Sequence, residues 1–341
     1  MKKNIRPAAP SFLTKKIPVY VIFLLLTAVV VIALSMTRFQ KPKQAVANTE
    51  PASCTTPLHF TQLNGALARP LLMADVSDQS AELFPIKNQI EKYLSKQKDS
   101  DQLKTASVYL QKLDNGMWIG INNEKMYTST GYIRLAILIW YLKKSEENPS
   151  VLDKKISFNP PKAYASAGNS KHELEAGKEY SIRELLTHLI VNSDSDAKSI
   201  LTRNIDTTQF EKVFTDLGMA TPNLREREFL INVSDYSKFL RVLYDARYLN
   251  TSNSEFALRL LSKNPSAEGM LSPLPPDVKV AHRFSDRFLN NEYDVRESGI
   301  VYADDDPYVL TIFTQGKSDA DLKAIIANIS KMVYDKMMVA P

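Results

Sequence analysis

Strand-like segments stand near both ends of the folded part of this chain, separated by a long stretch of helical pattern. Two alternating segments, 107–113 and 117–122, flank Asn115-Gly116, a dipeptide typical of tight hairpins. Three further strand-like segments lie at 278–284, 295–303 and 307–316. Because strands must pair side by side, the two ends are predicted to build one antiparallel sheet of about five strands. The fold class is therefore α+β, of the three-layer α/β/α type, with an inserted all-α subdomain.

Helical periodicity places further elements before, between and after these strands. Ser181 with Glu184 three residues later forms a capping box, and Ser234 is a candidate cap for a later helix. The predicted helices are 83–97, 131–144, 181–193, 196–205, 207–218, 234–249, 254–264 and 318–338. The folded domain is thus predicted at 81–341, with an α/β part at 81–130 and 271–341 and a helical part at 131–270. A ligand cleft is expected where the two parts meet.

The N-terminal segment has the pattern of a membrane anchor. Residues 17–36 are twenty residues without a charge, long enough to span a bilayer as a helix. Five basic residues precede them within 1–16, which predicts a cytoplasmic N-terminus and an extracytoplasmic domain. The Pro-, Thr- and Gln-rich segment 37–80 is predicted to be a tether. A cleaved signal peptide is the alternative, with Ala45-Val46-Ala47 as the cleavage site.

Charge and residue usage exclude several classes of function. The formal net charge is +5, but residues 1–43 hold eight basic residues and no acidic one, which leaves −3 for the rest. That distribution argues against a nucleic-acid-binding domain. The single Cys54 allows no internal disulfide, and the four histidines are scattered without metal-ligand spacing. Neither a metal site nor any cofactor is predicted.

The start of the apolar helix at 131–144 is unusual. It opens on Gly131, a poor helix former, and carries Arg134 one turn later in a segment that should be buried. Three sequence segments occur in an order that is known from a protein family. They are LDNGMWIGIN (113–122), MYTSTGYIRLAILIW (126–140) and VKVAHRFSD (278–286). In order and spacing, residues 81–338 resemble the class A β-lactamase and penicillin-binding serine hydrolase family. The resemblance implies that this chain has the fold of that family, with three sequence motifs lining the cleft.

The resemblance breaks down at those motifs. The family's S-x-x-K, S-D-N and K-T-G correspond here to 131–134, 193–195 and 283–285. Glycine offers no nucleophile, and arginine cannot release its proton at physiological pH to act as a base. The positions equivalent to the family's cleft motifs are Gly131, Arg134, Ser193, Asp194, Ser195, Arg283, Phe284 and Ser285. No catalytic residue is predicted among them.

Other residues could replace the lost groups, and each has a simpler interpretation. Thr130 precedes the glycine, but a hydroxyl there is typical of a helix cap. Glu228 in EFLIN is close to the family's deacylating phrase, although a charged surface loop is the favoured interpretation. Arg134 and Arg283 could grip an anion together, or could hold a collapsed cleft by pairing with nearby acids such as Asp194. The second interpretation is favoured.

Three hypotheses of function follow. The favoured one is a single-pass, outward-facing protein of a bacterial cell envelope, catalytically inactive, that binds a cell-wall peptide or an envelope protein. The alternative is an active serine hydrolase, a β-lactamase or D,D-peptidase, with a non-standard nucleophile. The third is a structural partner of another membrane protein, which predicts a cleft filled by Phe284 and an exposed apolar patch on the helical part.

Overall fold

A computed structural model describes residues 66–69, 78–129, 133–160, 174–222, 229–264, 267–303 and 306–338. Within these ranges, no helix combines the length and apolar character needed to cross a membrane. The predicted anchor at 17–36, the basic segment before it and most of the predicted tether at 37–80 lie outside the described ranges. Those assignments therefore stay predictions.

Eight α-helices and nine strands form the described part of the chain. The helices are α1 (Phe84–Asp99), α2 (Ile133–Glu147), α3 (Ile182–Ile190), α4 (Ser195–Arg203), α5 (Thr207–Asp216), α6 (Val233–Tyr244), α7 (Thr251–Leu261) and α8 (Asp319–Met338). The strands are β1 (Thr105–Lys112), β2 (Trp118–Ile121), β3 (Tyr127–Ser129), β4 (Lys155–Ser157), β5 (Glu179–Ser181), β6 (Phe229–Ile231), β7 (Lys279–Leu289), β8 (Glu292–Tyr302) and β9 (Tyr308–Gly316).

Five of the strands form one antiparallel sheet in the order β2-β1-β9-β8-β7. The predicted five-stranded sheet built from both ends of the chain is thereby confirmed. Strands β7 and β8 extend further than predicted, because Asn290 and Asn291 close a two-residue turn between Leu289 and Glu292. Both asparagines have positive φ, 54° and 62°, as hairpin turns of this length require. The short pairs β3–β6 and β4–β5 were not predicted.

Alternation along β9 shows that the sheet lies between two helical layers. Tyr308, Leu310 and Ile312 join a core with apolar residues of α1 and α8. Val309 and Phe313, on the other face, join the core of the helical part, which includes most of α2. Successive side chains of a strand point to opposite faces, so one strand contributes to both cores. The result is the predicted three-layer arrangement.

Helix caps explain where two of the helices begin. The predicted capping box is present at α3, where Ser181 Oγ accepts from Glu184 N at 3.2 Å and Glu184 Oε2 accepts from Ser181 N at 2.7 Å. These hydrogen bonds hold the pKa of Glu184 below its usual value. Ser234 was the wrong cap for α6. The cap is Asn232, whose side chain accepts from Asp235 N at 2.7 Å, because asparagine serves this position as well as serine does.

A short piece of the predicted tether belongs to the folded domain. Leu67 and Ala68 are buried in the core of the helical part. Their amides donate to Glu255 Oε1 of α7 at 2.6 and 2.7 Å, and Arg69 N donates to Tyr244 O at 2.6 Å. The folded domain therefore begins before residue 81, the predicted boundary, because one carboxylate binds two consecutive backbone N–H groups.

We expect Glu255→Ala to release this segment. The substitution removes two hydrogen bonds to a charged acceptor and should lower the free energy of unfolding by about 2–3 kcal/mol. Urea unfolding measures the loss, and hydrogen exchange at Leu67 and Ala68 shows whether the segment has come free. Exposed Glu91 on α1 provides the matched control Glu91→Ala. Equal stability of the two variants would show that the segment is not held by Glu255.

Candidate functional site

Arg134 is a buried cation in the first turn of α2. It is 7% exposed, and α2 is apolar around it from Leu135 to Leu142. Its Nη1 donates to Asp194 O at 2.6 Å, with Leu189 O at 3.5 Å. A buried charge is tolerated when it is hydrogen-bonded, and here the acceptors are backbone carbonyls. Gly131, three residues earlier in the sequence, lies outside the described residues.

Arg283 reaches the segment that Arg134 binds, the connection between α3 and α4, from the sheet. It lies on β7, is 4% exposed, and its Nη1 donates to Ser193 Oγ at 2.7 Å and to Ile190 O at 3.2 Å. The structure therefore brings together Arg134, Ser193, Asp194 and Arg283, as the sequence predicted. Both guanidinium groups bind the connection between α3 and α4.

The α3–α4 connection has a conformation that exposes its carbonyls to these two arginines. Ser193 has a positive φ of 57°, which reverses the chain after α3. Asp194 follows, fully buried, and its Oδ1 caps α4 by accepting from Ala197 N at 2.7 Å. The side-chain carboxylate of Asp194 thus caps α4, while the backbone carbonyl of Asp194 accepts a hydrogen bond from Arg134. The predicted interaction of Asp194 with the arginines is present at Arg134 in two forms: the backbone carbonyl accepts a hydrogen bond, and the negative charge stabilises the protonated guanidinium.

Positive charge accumulates at this point. Burial, together with the nearby Arg283, lowers the pKa of Arg134 to about 9, and Asp194 opposes that shift. Lys198 of α4 is also affected: burial and the charge of Arg134 both lower its pKa. At neutral pH Arg134 is still protonated, so it donates hydrogen bonds but cannot accept a proton.

Phe284 does not lie in the cleft. It follows Arg283 on β7 and therefore points to the opposite face of the sheet. There it packs against the core that includes α8, with Lys323 Nζ at 5.6 Å from the ring centroid. The prediction that Phe284 fills the cleft was wrong for this reason. Ser285 returns to the face of Arg283 and is half-buried, as is Ser195 at the start of α4.

A buried pair fixes β7 from that opposite face. His282 Nδ1 lies 2.7 Å from Glu297 Oε1, and both side chains are fully buried. Glu297 Oε2 accepts from Met270 N at 2.7 Å, which ties the chain before β7 to the sheet. Gly269 is required beside it, because a Cβ there would lie 2.4 Å from Glu297 Oε2. Strand β7 is therefore held on both faces.

A second cationic cluster, which the sequence analysis missed, lies next to the first. Arg296 on β8 is 5% exposed and donates from Nη1 to Thr128 O at 2.7 Å and from Nη2 to Asp294 Oδ2 at 3.0 Å. Arg287 donates to Thr128 Oγ1 and to Asp294 Oδ2, each at 2.8 Å. Arg296 faces Ser285 in the β7–β8 register. The sequence did contain a signal for this cluster: in the predicted strand 295–303, Arg296 occupies a position whose side chain points inward.

The remaining predictions meet a mixed outcome. Thr130 and Glu228 lie outside the described residues. Within the described ranges, no group of three or more His, Cys, Asp or Glu side chains could hold a metal ion.

The exposed large apolar side chains in the described ranges are Phe84, Met126, Leu230, Phe288, Leu289 and Met338. Of these, Leu230 lies in the helical part, so the described portion of that part lacks the extended apolar patch that the structural-partner hypothesis predicts.

We expect Lys198→Met to stabilise the domain at neutral pH by a few degrees in Tm, because it removes a half-buried charge close to Arg134. The pKa of Lys198 is lower in the folded state than the unfolded value of 10.5, so the unfolded chain binds more protons between the two values. The advantage of the variant should be largest below the folded-state pKa and disappear above 10.5. Thermal unfolding between pH 7 and 11 tests this, with Lys92→Met on α1 as control. An equal effect of both substitutions at every pH would contradict it.

Comparison with known proteins places this geometry in a family. The family model described as "Beta-lactamase enzyme family" matches residues 85–337. No curated protein sequence matches the chain.

Solved structures of similar shape share the fold at low sequence identity. The TLA-1 extended-spectrum β-lactamase is 19% identical with a TM-score of 0.65, covering 75% of this chain and 99% of its own. A representative class A β-lactamase from Bacteroides cellulosilyticus is 22% identical with a TM-score of 0.64, covering 76% and 99%. The protein PBP-A is 18% identical with a TM-score of 0.63, covering 74% and 96%. At these identities the likeness shows the fold alone.

Proposed function

The chain belongs to the beta-lactamase enzyme family, and from that premise we propose that its domain is a non-hydrolytic member. It binds a cell-wall peptide or an envelope protein without forming an acyl-enzyme.

The proposal includes an N-terminal anchor at residues 17–36, which holds the domain outside a bacterial membrane. If the anchor is retained, alkaline carbonate leaves the full chain in the membrane fraction, and release into the supernatant would contradict that part.

One observation carries the proposal: the cation next to the expected nucleophile position is a guanidinium with fixed donors. Arg134 Nη1 binds Asp194 O, and a protonated guanidinium has no lone pair that could take a proton. In the sequence, the nucleophile position itself is Gly131, which has no hydroxyl. Acyl transfer needs a nucleophile and a base within hydrogen-bond reach, and these two residues supply neither.

Strand β7 offers a binding edge for an extended peptide. It is the last strand of the five-stranded sheet, so its outer edge faces away from β8. Ser285 lies on the same face of β7 as Arg283, and both Ser285 and Ser195, at the start of α4, are half-buried hydroxyl groups. An extended peptide can add to such an edge through backbone hydrogen bonds. The nearby excess of positive charge favours a peptide with a free carboxylate.

The alternative hypothesis, an active hydrolase, needs a different nucleophile. PBP-A, of the same fold, has been solved in variant form as an acyl-enzyme complex with penicillin G. In this chain, Ser193 Oγ accepts from the guanidinium of Arg283, a donor that cannot act as its base. The arrangement therefore favours the non-hydrolytic proposal.

We expect no covalent adduct when the full chain is incubated with a fluorescent penicillin and its intact mass is measured. Gly131→Ser/Arg134→Lys restores a hydroxyl and an amine at the motif positions, and an adduct on this variant alone would show that the cleft still admits the reagent. Gly131→Ala/Arg134→Lys is the matched control without the hydroxyl. A stoichiometric adduct on the unmodified chain would contradict the proposal, and its position would identify the nucleophile.

Peptide binding gives the positive test. Isothermal titration of the full chain with a cell-wall stem peptide should give heat of binding without turnover. The same peptide with an amidated C-terminus should bind about tenfold more weakly, because it loses the longer-range attraction between its carboxylate and the positive charge near the cleft. Equal affinity of the two peptides would contradict carboxylate recognition, and absence of binding would contradict the peptide as ligand.

A further inference from the structure

A cavity of about 470 Å³ lies away from the motif-equivalent cleft. It is formed by α7, the start of β7, the connection between them and the docked segment 66–69. Its volume falls in the range of small-molecule sites. None of the motif-equivalent residues that the structure describes lines it. It is therefore a separate site on the domain.

The walls of this cavity are largely aliphatic. Leu67 and Val280 are buried, Leu271 and Val278 are half-buried, and all four line the space. Leu67 is held in position by the hydrogen bond from its amide to Glu255. Part of the lining is thus supplied by the docked segment, and part by β7 and the connection before it. Binding of an apolar chain to such a surface is favourable, because it removes apolar area from water.

Two exposed cations stand on the same cavity. Arg259 of α7 and Lys279 of β7 both line it. Neither makes an ion pair or hydrogen bond with another described side chain, in contrast to Lys323, which contacts Glu268 and Asp319. The carboxylate in the lining, Glu255, already accepts two backbone amides through Oε1. The cavity therefore combines an apolar interior with two available positive charges.

We propose that this cavity binds a single-chain amphiphile with an anionic head group. The tail lies against Leu67, Leu271 and Val278, and the head, a carboxylate or a phosphate, lies between Arg259 and Lys279. A guanidinium and an ammonium together suit an anionic oxygen group, and the aliphatic walls suit a methylene chain. The ligand is a fatty acid or a lysophospholipid, which share this chemistry.

Photo-crosslinking of the full chain in neutral dodecyl maltoside micelles tests the proposal. Three probes carry the same diazirine-bearing tail and differ in the head: a carboxylate, a lysophospholipid phosphate and an alcohol. Peptide mapping by mass spectrometry should locate the label of at least one anionic probe within residues 255–280, and the alcohol should label that region about tenfold less. Preference for the carboxylate or for the phosphate identifies the source of the ligand, and either supports the proposal.

Variants separate charge from shape. Arg259→Gln/Lys279→Gln should reduce anionic labelling of residues 255–280 about tenfold, while Lys92→Gln/Lys96→Gln, an exposed pair on α1, should leave it unchanged. Leu271→Trp keeps both charges but places a larger side chain in the cavity, and it should reduce the label. Circular dichroism checks that each variant is folded. Equal labelling by the alcohol, no label within 255–280, or equal loss in the α1 control would overturn the proposal.

Discussion

Two buried guanidinium groups hold the α3–α4 connection of this protein, one from each side. Arg134 reaches it from the central helix α2, and Arg283 reaches it from strand β7. Backbone carbonyls and one hydroxyl accept hydrogen bonds from the two guanidinium groups, and the buried carboxylate of Asp194 stabilises the charge of Arg134. Because α2 lies in the core of the helical part and β7 in the sheet, this contact joins the two parts at the predicted cleft. Loss of either arginine would leave buried acceptors without their donor.

The same contact explains how the fold is maintained with arginine at positions 134 and 283. A positive charge remains at both positions where the resemblance places the family's lysines, and here it binds the α3–α4 connection. Arg134 is poorly suited to proton transfer, since burial and the nearby Arg283 lower its pKa only to about 9 and leave it charged at neutral pH. The proposed binding at the edge of β7 requires the fold but no catalytic group. The proposed non-hydrolytic function therefore follows from a replacement that keeps the cleft folded.

The sequence predicted the fold well where local rules act, and less well where tertiary contacts decide. Asn115-Gly116 and the Ser181–Glu184 capping box carried their own signals, and both elements are present. The short β3–β6 pair was missed because three-residue strands have no periodicity to detect. The direction of Phe284 was misjudged because the motif was treated as a unit, although strand alternation separates it from Arg283. The burial of Leu67 and Ala68 depends on Glu255, nearly two hundred residues away.

Nuclear magnetic resonance of the arginine side chains tests the central claim most directly. In the full chain with ¹⁵N-labelled arginine, the guanidinium protons of Arg134 and Arg283 should exchange slowly at pH 7 and keep their chemical shifts when an acidic peptide is added. Assignment rests on conservative lysine variants at each position. Fast exchange, or shifts that follow the peptide concentration, would show that the two arginines grip the ligand instead of the α3–α4 connection, and would contradict the account.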